Sequence, residues 1–554
     1  MSRNHALPQP PSEAAASPMP SATPSASPEA PVKMPKKSIP FDKKSRLALL
    51  LAFGQAVLSS FIFYPYDAME FGSLPGVGLT IMTVAVLACA FAILGKHARI
   101  DRVTIPLTVT CLILALIPAL YANPDLRFLN CLILGGTLTL DVFLVANLWE
   151  GCWASSRAVG TSIWFFFVAL FSNLLGPLNA LAHRSRGKDG RVHGPQGVAA
   201  GIGIALGLLV ILIIPLLASA DAMFSQIFSR IFDLLAHLRF DRIVTHLTIV
   251  LIVTPLAFSL LWAASHARSN PHASAGEDAL PDASSRRIAL RIPAATQVIV
   301  LISVDIVYLV FVAVQFIYLF GGTESVHMYG GYAEYARTGF FQLATVGIIN
   351  ACIGLLAAQG AGHAQSIGSR AALAIGNVAL VLMTAVILAS AAIRMNLYIQ
   401  EYGLTLMRLL TLLGMTFTAV LLAALLVKTF HAKTNFFRIF MIAGLALWIC
   451  FNFMNIDKLI VRYNAAQYES GAIENVDAWY LSMHTNADTL PDLQALETYL
   501  RTKSDANEKL HLGDDLNYGD SYEYEADILK DRIIAYEDSR TREPWPLWSW
   551  AHRA

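Results

Sequence analysis

The chain has 554 residues, 55% of them hydrophobic and 14% charged, with a net charge of +1 and a mean hydropathy of +0.54. A soluble domain carries about a quarter charged residues, so composition excludes an ordinary soluble protein. The near-zero charge sums a basic front and an acidic tail; no basic patch with interleaved aromatics suggests nucleic acid, and six cysteines (Cys89, Cys111, Cys131, Cys152, Cys352, Cys450) without a CxxC spacing support neither a disulfide framework nor a zinc site.

Residues 1–40 are rich in Pro, Ser and Ala and bury too little apolar surface to offset their ordering entropy, so they read as a disordered arm. They do not read as a signal peptide, because the first apolar run starts too late and no small-residue cleavage site follows it. Lys33, Lys36, Lys37, Lys43, Lys44 and Arg46 precede that run, which places this end in the cytoplasm by the positive-inside rule.

Apolar runs then recur at 47–64, 77–95, 103–121, 126–147, 161–181, 197–219, 243–264, 296–320, 339–359, 371–392, 405–427 and 436–454. Most reach the length of about 20 residues that a bilayer-spanning helix needs. The runs are continuous and do not alternate, which speaks against a barrel and makes helices the default. The expected fold class is all-α: a polytopic transmembrane helix bundle over 47–455, of about 11–12 spans by the same length criterion, with a small, mainly helical extramembrane domain at 456–554. The count turns on 161–181, whose second half (Ser172, Asn173, Gly176, Pro177, Asn179) is broken and polar. Reading it as interfacial or re-entrant puts the basic loops at 183–193, 268–291 and 428–433 inside and the acidic C-terminal region outside the cytoplasm.

Segment 224–240 places Phe224, Ile227, Phe228, Ile231, Phe232, Leu235 and Leu238 on one helical face, the pattern of a helix lying in the membrane interface or packed on neighbouring spans. Gly203 and Gly207 suit close helix packing rather than a nucleotide loop. Past 455, short helices are expected in 477–500 and 523–538 and a loop at Gly513–Asp520. The WPLWSW ending could lie on the membrane surface or anchor the small domain.

Two carboxylates, Asp141 and Asp305, fall inside apolar runs, where an ionised group costs roughly 2.5–3.5 kcal/mol on insertion scales. Each is expected to face the bundle interior, as a proton or cation relay or as a polar clamp between helices. Asn130 and Thr137 share the face of Asp141; Tyr308, Val312 and Gln315 share that of Asp305.

Four polar stretches, 220–224, 331–341, 398–408 and 455–464, are separated by pairs of crossings and so fall on one side of the membrane. With Arg394, one turn before the third, they present the candidate ligand-binding residues Asp221, Tyr332, Glu334, Tyr335, Arg337, Arg394, Tyr398, Glu401, Arg408, Asp457, Arg462 and Tyr463, with Tyr402 beside them. Arg with Tyr suits a carboxylate, phosphate or sugar. The alternative is internal pairing, with Glu334, Glu401 and Asp457 neutralising Arg337, Arg394 and Arg408. No catalytic residue, cofactor or metal site is expected.

The runs QFIYLFGG (315–322), GYAEYARTGFF (331–341), YGLTLMR (402–408) and NIDKLIVRYN (455–464), with a D-x-x-YL helix at Asp477–Leu481 and the ADAMF stretch at 220–224, resemble a bacterial membrane family, the domain-of-unknown-function family four-one-seven-three, related to the broader four-one-five-three group. The resemblance covers roughly 200–464. It implies a multi-pass protein of the bacterial cytoplasmic membrane and supplies no reaction. Three functions stay open: transport or export of an envelope component, a sensor or envelope-assembly scaffold, and an enzyme on a lipid-linked substrate. Glu334 with Tyr335, or Asp457, would be the acid–base group of the third. Expected partners are the lipid bilayer and an envelope protein or small-molecule ligand.

Overall fold

The computed structural model describes residues 43–63, 75–149, 151–174, 176–177, 240–266, 293–320, 340–363, 366–431, 433–473, 476–505 and 522–542. The N-terminal arm, the run at 197–219, all but the last residue of 224–240, the loop Gly513–Asp520 and the WPLWSW ending lie outside them.

The described residues form helices and no strand. They are α1 (Lys43–Phe63), α2 (Val77–Leu94), α3 (Thr104–Leu120), α4 (Pro124–Val145), α5 (Ser156–Ser172), α6 (Phe240–His266), α7 (Ala294–Phe320), α8 (Phe340–His363), α9 (Ile367–Tyr402), α10 (Leu406–Phe430), α11 (Phe436–Phe453), α12 (Ile456–Glu469), α13 (Ala478–His484), α14 (Leu490–Asp505) and α15 (Tyr522–Arg542). Eight of them, α1, α2, α4, α6, α7, α9, α10 and α11, are long and apolar enough to cross a membrane; α3, α5 and the 349–358 part of α8 are shorter apolar helices. The architecture is therefore an all-α polytopic bundle. Leu50, Trp164, Leu251, Val307 and Ile375 point outward and are exposed. So broad an apolar girdle is what lipid contact requires.

Local sequence explains the packing. Ala48, Ala52 and Ala56 recur every fourth residue of α1 and are fully buried. Small residues at that spacing let helix backbones approach closely, and α1 lies along α6 with Ala48 and Ala52 in one cluster with Phe258 and Trp262. α5 ends at Ser172, within the stretch that sequence marks as broken. The Asn173 backbone N–H donates to Ser259 Oγ (2.9 Å) and Ser259 Oγ donates to the Ala169 carbonyl (2.5 Å). This contact lies about two turns from the C-terminal end of α6.

α9 runs ten residues past the expected span end at 392, to Tyr402. Its last three turns carry Arg394, Asn396, Gln400 and Glu401, too polar for an apolar span, yet Arg, Gln and Glu are good helix formers. Met395 and Ile399 on this overhang share one apolar core with Trp448 and Phe451 of α11, Ile460 and Val461 of α12, Leu481 of α13, Leu493 and Leu500 of α14, and Leu529 and Ile533 of α15. The helices after 455 are thus seated on the end of the bundle as a cap.

The two ends of the bundle differ in charge. Lys43, Lys44, Lys96, Arg99, Arg102, Arg157, Lys428, Lys433 and Arg438 fall at helix ends of one side. Asn435, between α10 and α11, donates to the Ala154 carbonyl before α5 (3.1 Å), joining two of these turns. The cap covers the opposite end.

Candidate functional site

The site lies where the cap meets the bundle, at the turn between α3 and α4. Asn123 is the N-cap of α4: its Oδ1 accepts from the Leu126 N–H (2.9 Å). That bond fixes the amide orientation, so Nδ2 points away from the helix and donates to Asp457 Oδ1 at 2.7 Å. Asp457 stands in the first turn of α12, and its other oxygen accepts from Asn486 Nδ2 at 2.8 Å. One carboxyl group therefore bridges a bundle turn and the cap.

The sharp corner that delivers Asp457 is Asn455, the N-cap of α12, in the left-handed conformation (φ 48°) that Asn tolerates better than most residues. Asp457 is 2% exposed. Burial pushes its carboxyl up to about 7, assisted by the nearby Asp488 and Asp125 and opposed by the two amide donors. Asp488 is buried beside it, with Oδ2 accepting from the Ala122 N–H (3.2 Å). A small cavity, with room for about one water, opens between Asn123, Arg127, Asn130, Asn452, Asp457 and Asp488. Its floor is a closed polar ring across α4 and α11: Trp448 Nε1 donates to Asn130 Oδ1 (2.6 Å), Asn130 Nδ2 to Asn452 Oδ1 (3.0 Å), and Asn452 Nδ2 to the Trp448 carbonyl (2.8 Å).

A second junction holds the loop between α9 and α10. Asn464 of α12 clamps Leu404 at both backbone groups, accepting from its N–H at 2.6 Å and donating to its carbonyl at 2.9 Å. The Leu406 N–H donates to the Tyr480 hydroxyl of α13 (2.9 Å). Burial raises the Tyr480 phenol above its ordinary value, with Arg408 opposing and Asp457 adding to the rise.

The predicted residues distribute unevenly over this geometry. Asp221, Tyr332, Glu334, Tyr335 and Arg337 lie outside the described residues. Tyr398, Tyr402 and Arg408 come together: the guanidinium of Arg408 sits 4.2 Å over the Tyr398 ring and donates to the Tyr402 carbonyl (2.8 Å) and the Gly403 carbonyl. Arg408 is thus satisfied by backbone and ring rather than by an acid, and Asp457 by two amides rather than by an arginine. Arg462 turns away to Asp492 of α14 (2.7 Å). Glu401 is exposed, Tyr463 packs half-buried against the main core, and Arg394 is half-buried on the overhang of α9. Asp141 is fully buried and accepts from Thr108 Oγ1 across α3 and α4 (2.8 Å). Asp305 faces α9 at Gly376.

Sequence reasoning missed Asn123, Asn486, Asp488, Asn464 and Tyr480. Asn123-Pro124 is a helix-start signal, which accounts for Asn123 as a cap but not as a donor. The D-x-x-YL motif held Tyr480 without indicating its partner.

The family Domain of unknown function (DUF4153) matches residues 108–496. The chain belongs to this family. The match is to the four-one-five-three group named with the motifs, and it extends beyond the motif-bearing stretch on both sides. It takes in Asn123, Asp457, Asn486 and Asp488 together. No curated protein and no solved structure matches the chain.

Proposed function

We propose that this multi-pass DUF4153 protein is a sensor, in which protonation of Asp457 couples the cap to the membrane bundle. The reading rests on one observation: a buried carboxyl, with its titration moved to about 7, is the shared acceptor of Asn123 on the bundle and Asn486 on the cap. The folded-state value lies above the unfolded one. The junction is therefore favoured at low pH, and that advantage is lost as pH rises through about 7. The positive-inside rule assigns the basic end to the cytoplasm and the cap to the outer side of a bacterial cytoplasmic membrane, where external pH would reach the junction.

The test is hydrogen exchange of α13 and α14 in reconstituted protein between pH 5.5 and 8.5, corrected for intrinsic rates. Protection of the wild-type cap falls as pH rises from 5.5 to about 7 and levels off above it, and Asp457→Asn removes the pH dependence. An unchanged pH response in Asp457→Asn refutes the reading.

Transport of an envelope component remains a second reading, favoured by the carboxylates Asp141 and Asp305 within the spans.

A further inference from the structure

Among the described residues, the half of the bundle nearer the basic end contains a set of oxygen atoms with no donor. Asn350 of α8 donates through Nδ2 to Thr384 Oγ1 (2.8 Å), and that hydroxyl donates to the Leu380 carbonyl (2.7 Å). Asn377 of α9 donates through Nδ2 to Thr429 Oγ1 (2.5 Å), and that hydroxyl donates to the Leu425 carbonyl (2.9 Å). A hydroxyl has one proton. Both threonines have used theirs, so each can only accept, and each asparagine must present its NH2 group. The amide orientations are fixed by this chemistry.

Asn350 Oδ1 and Asn377 Oδ1 are consequently directed elsewhere, and among the described residues both are buried without a hydrogen-bond partner, as is Asp305 Oδ1 on α7. Asn350 and Asn377 are 1% and 0% exposed. Two of the groups adjoin glycines of the neighbouring helices, and the third, Asn350, stands a turn away on α8. Asp305 Oδ2 lies 3.4 Å from where a Cβ on Gly376 would stand, and Gly376 precedes Asn377 in the chain. Asn377 Oδ1 lies 2.7 Å from the corresponding point on Gly354, one turn along α8 from Asn350. Among the described residues no ion pair reaches Asp305.

A buried acceptor without a donor is costly, and three on adjoining helices, one of them a carboxylate, would be satisfied by an occupant that carries positive charge. We propose that this seam of α7, α8 and α9 binds a single alkali-metal cation through the Asp305 carboxylate and the Asn350 and Asn377 amide oxygens. Hard oxygen ligands suit such an ion. One carboxylate balances one positive charge, whereas a divalent ion would leave an excess charge in an apolar bundle. The site is separate from the Asp457 junction and stands whether or not that junction senses pH.

The test uses detergent-purified full-length protein. A ligand of the folded state raises the thermal midpoint as its concentration rises. Sodium chloride or potassium chloride is expected to raise the midpoint of the wild type by several degrees over choline chloride at equal ionic strength. Radiolabelled sodium or rubidium should be retained at about one ion per chain, the stoichiometry implied by the charge balance. Asp305→Asn and Asn377→Ala should lose both responses. If a variant does not fold, the wild-type comparison decides alone. A midpoint indifferent to the cation, with no ion retained, overturns the proposal and leaves water as the occupant.

Discussion

Gly403 ends α9 with φ +75° and ψ −173°, a backbone region essentially reserved for glycine, and a Cβ there would stand 2.6 Å from Asn464 Oδ1. The same Asn464 oxygen accepts the Leu404 N–H, so a side chain at 403 would break the clamp that holds the loop to α12. Gly403→Ala should therefore destabilise the protein by about 1–3 kcal/mol from strain alone, with further loss from the clamp. The midpoint of thermal unfolding in detergent measures this, and a wild-type midpoint would refute it. Asp457 poses a different problem at the same scale. Its residue type marked it as a candidate, but its titration comes from burial between partners more than 300 positions apart in one case, Asn123. No local window holds that information.

Among the elements, α1 and α6 show what an apolar run by itself leaves open. Hydropathy marks both as spans, and the Ala48–Ala52–Ala56 stripe says that something packs closely on α1, without saying what. The partner is α6, nearly 200 residues later, which brings Phe258 and Trp262 onto the stripe. Ala52→Leu should overpack this seam and cost about 1–3 kcal/mol, whereas Leu50→Ala, on the exposed face, should change the midpoint little. Equal effects of the two in thermal unfolding would contradict the packing. The α9 overhang was hidden for a related reason: its polar last turns resemble a loop to a hydropathy scale, yet they stay helical because Met395 and Ile399 are buried under the cap.

For the whole molecule, the charge asymmetry of the two ends carries the proposed orientation. Cys152 is exposed at the basic end, and Met483 is exposed on α13 of the cap. A membrane-impermeant maleimide applied to intact cells should label a Met483→Cys variant and leave Cys152 unmodified until the membrane is opened. Labelling of Cys152 in intact cells would reverse the orientation, and with it the exposure of the Asp457 junction to external pH.

The amino-acid sequence by itself determined the helical class, most span positions and the basic character of one end, because bilayer thickness and the cost of bare peptide groups act on contiguous residues. It also singled out Asp141 and Asp305, since charged groups within apolar runs are rare enough to stand out, and it held Asp457 among the candidates of the polar stretches. Tertiary structure alone decided which amides face them. The Asn123–Asp457–Asn486 bridge, the Trp448–Asn130–Asn452 ring and the two Asn–Thr pairs each join helices distant in the chain. An asparagine in an apolar run shows that a hydrogen-bond partner is needed but not which one, and only the packing of helices supplies it.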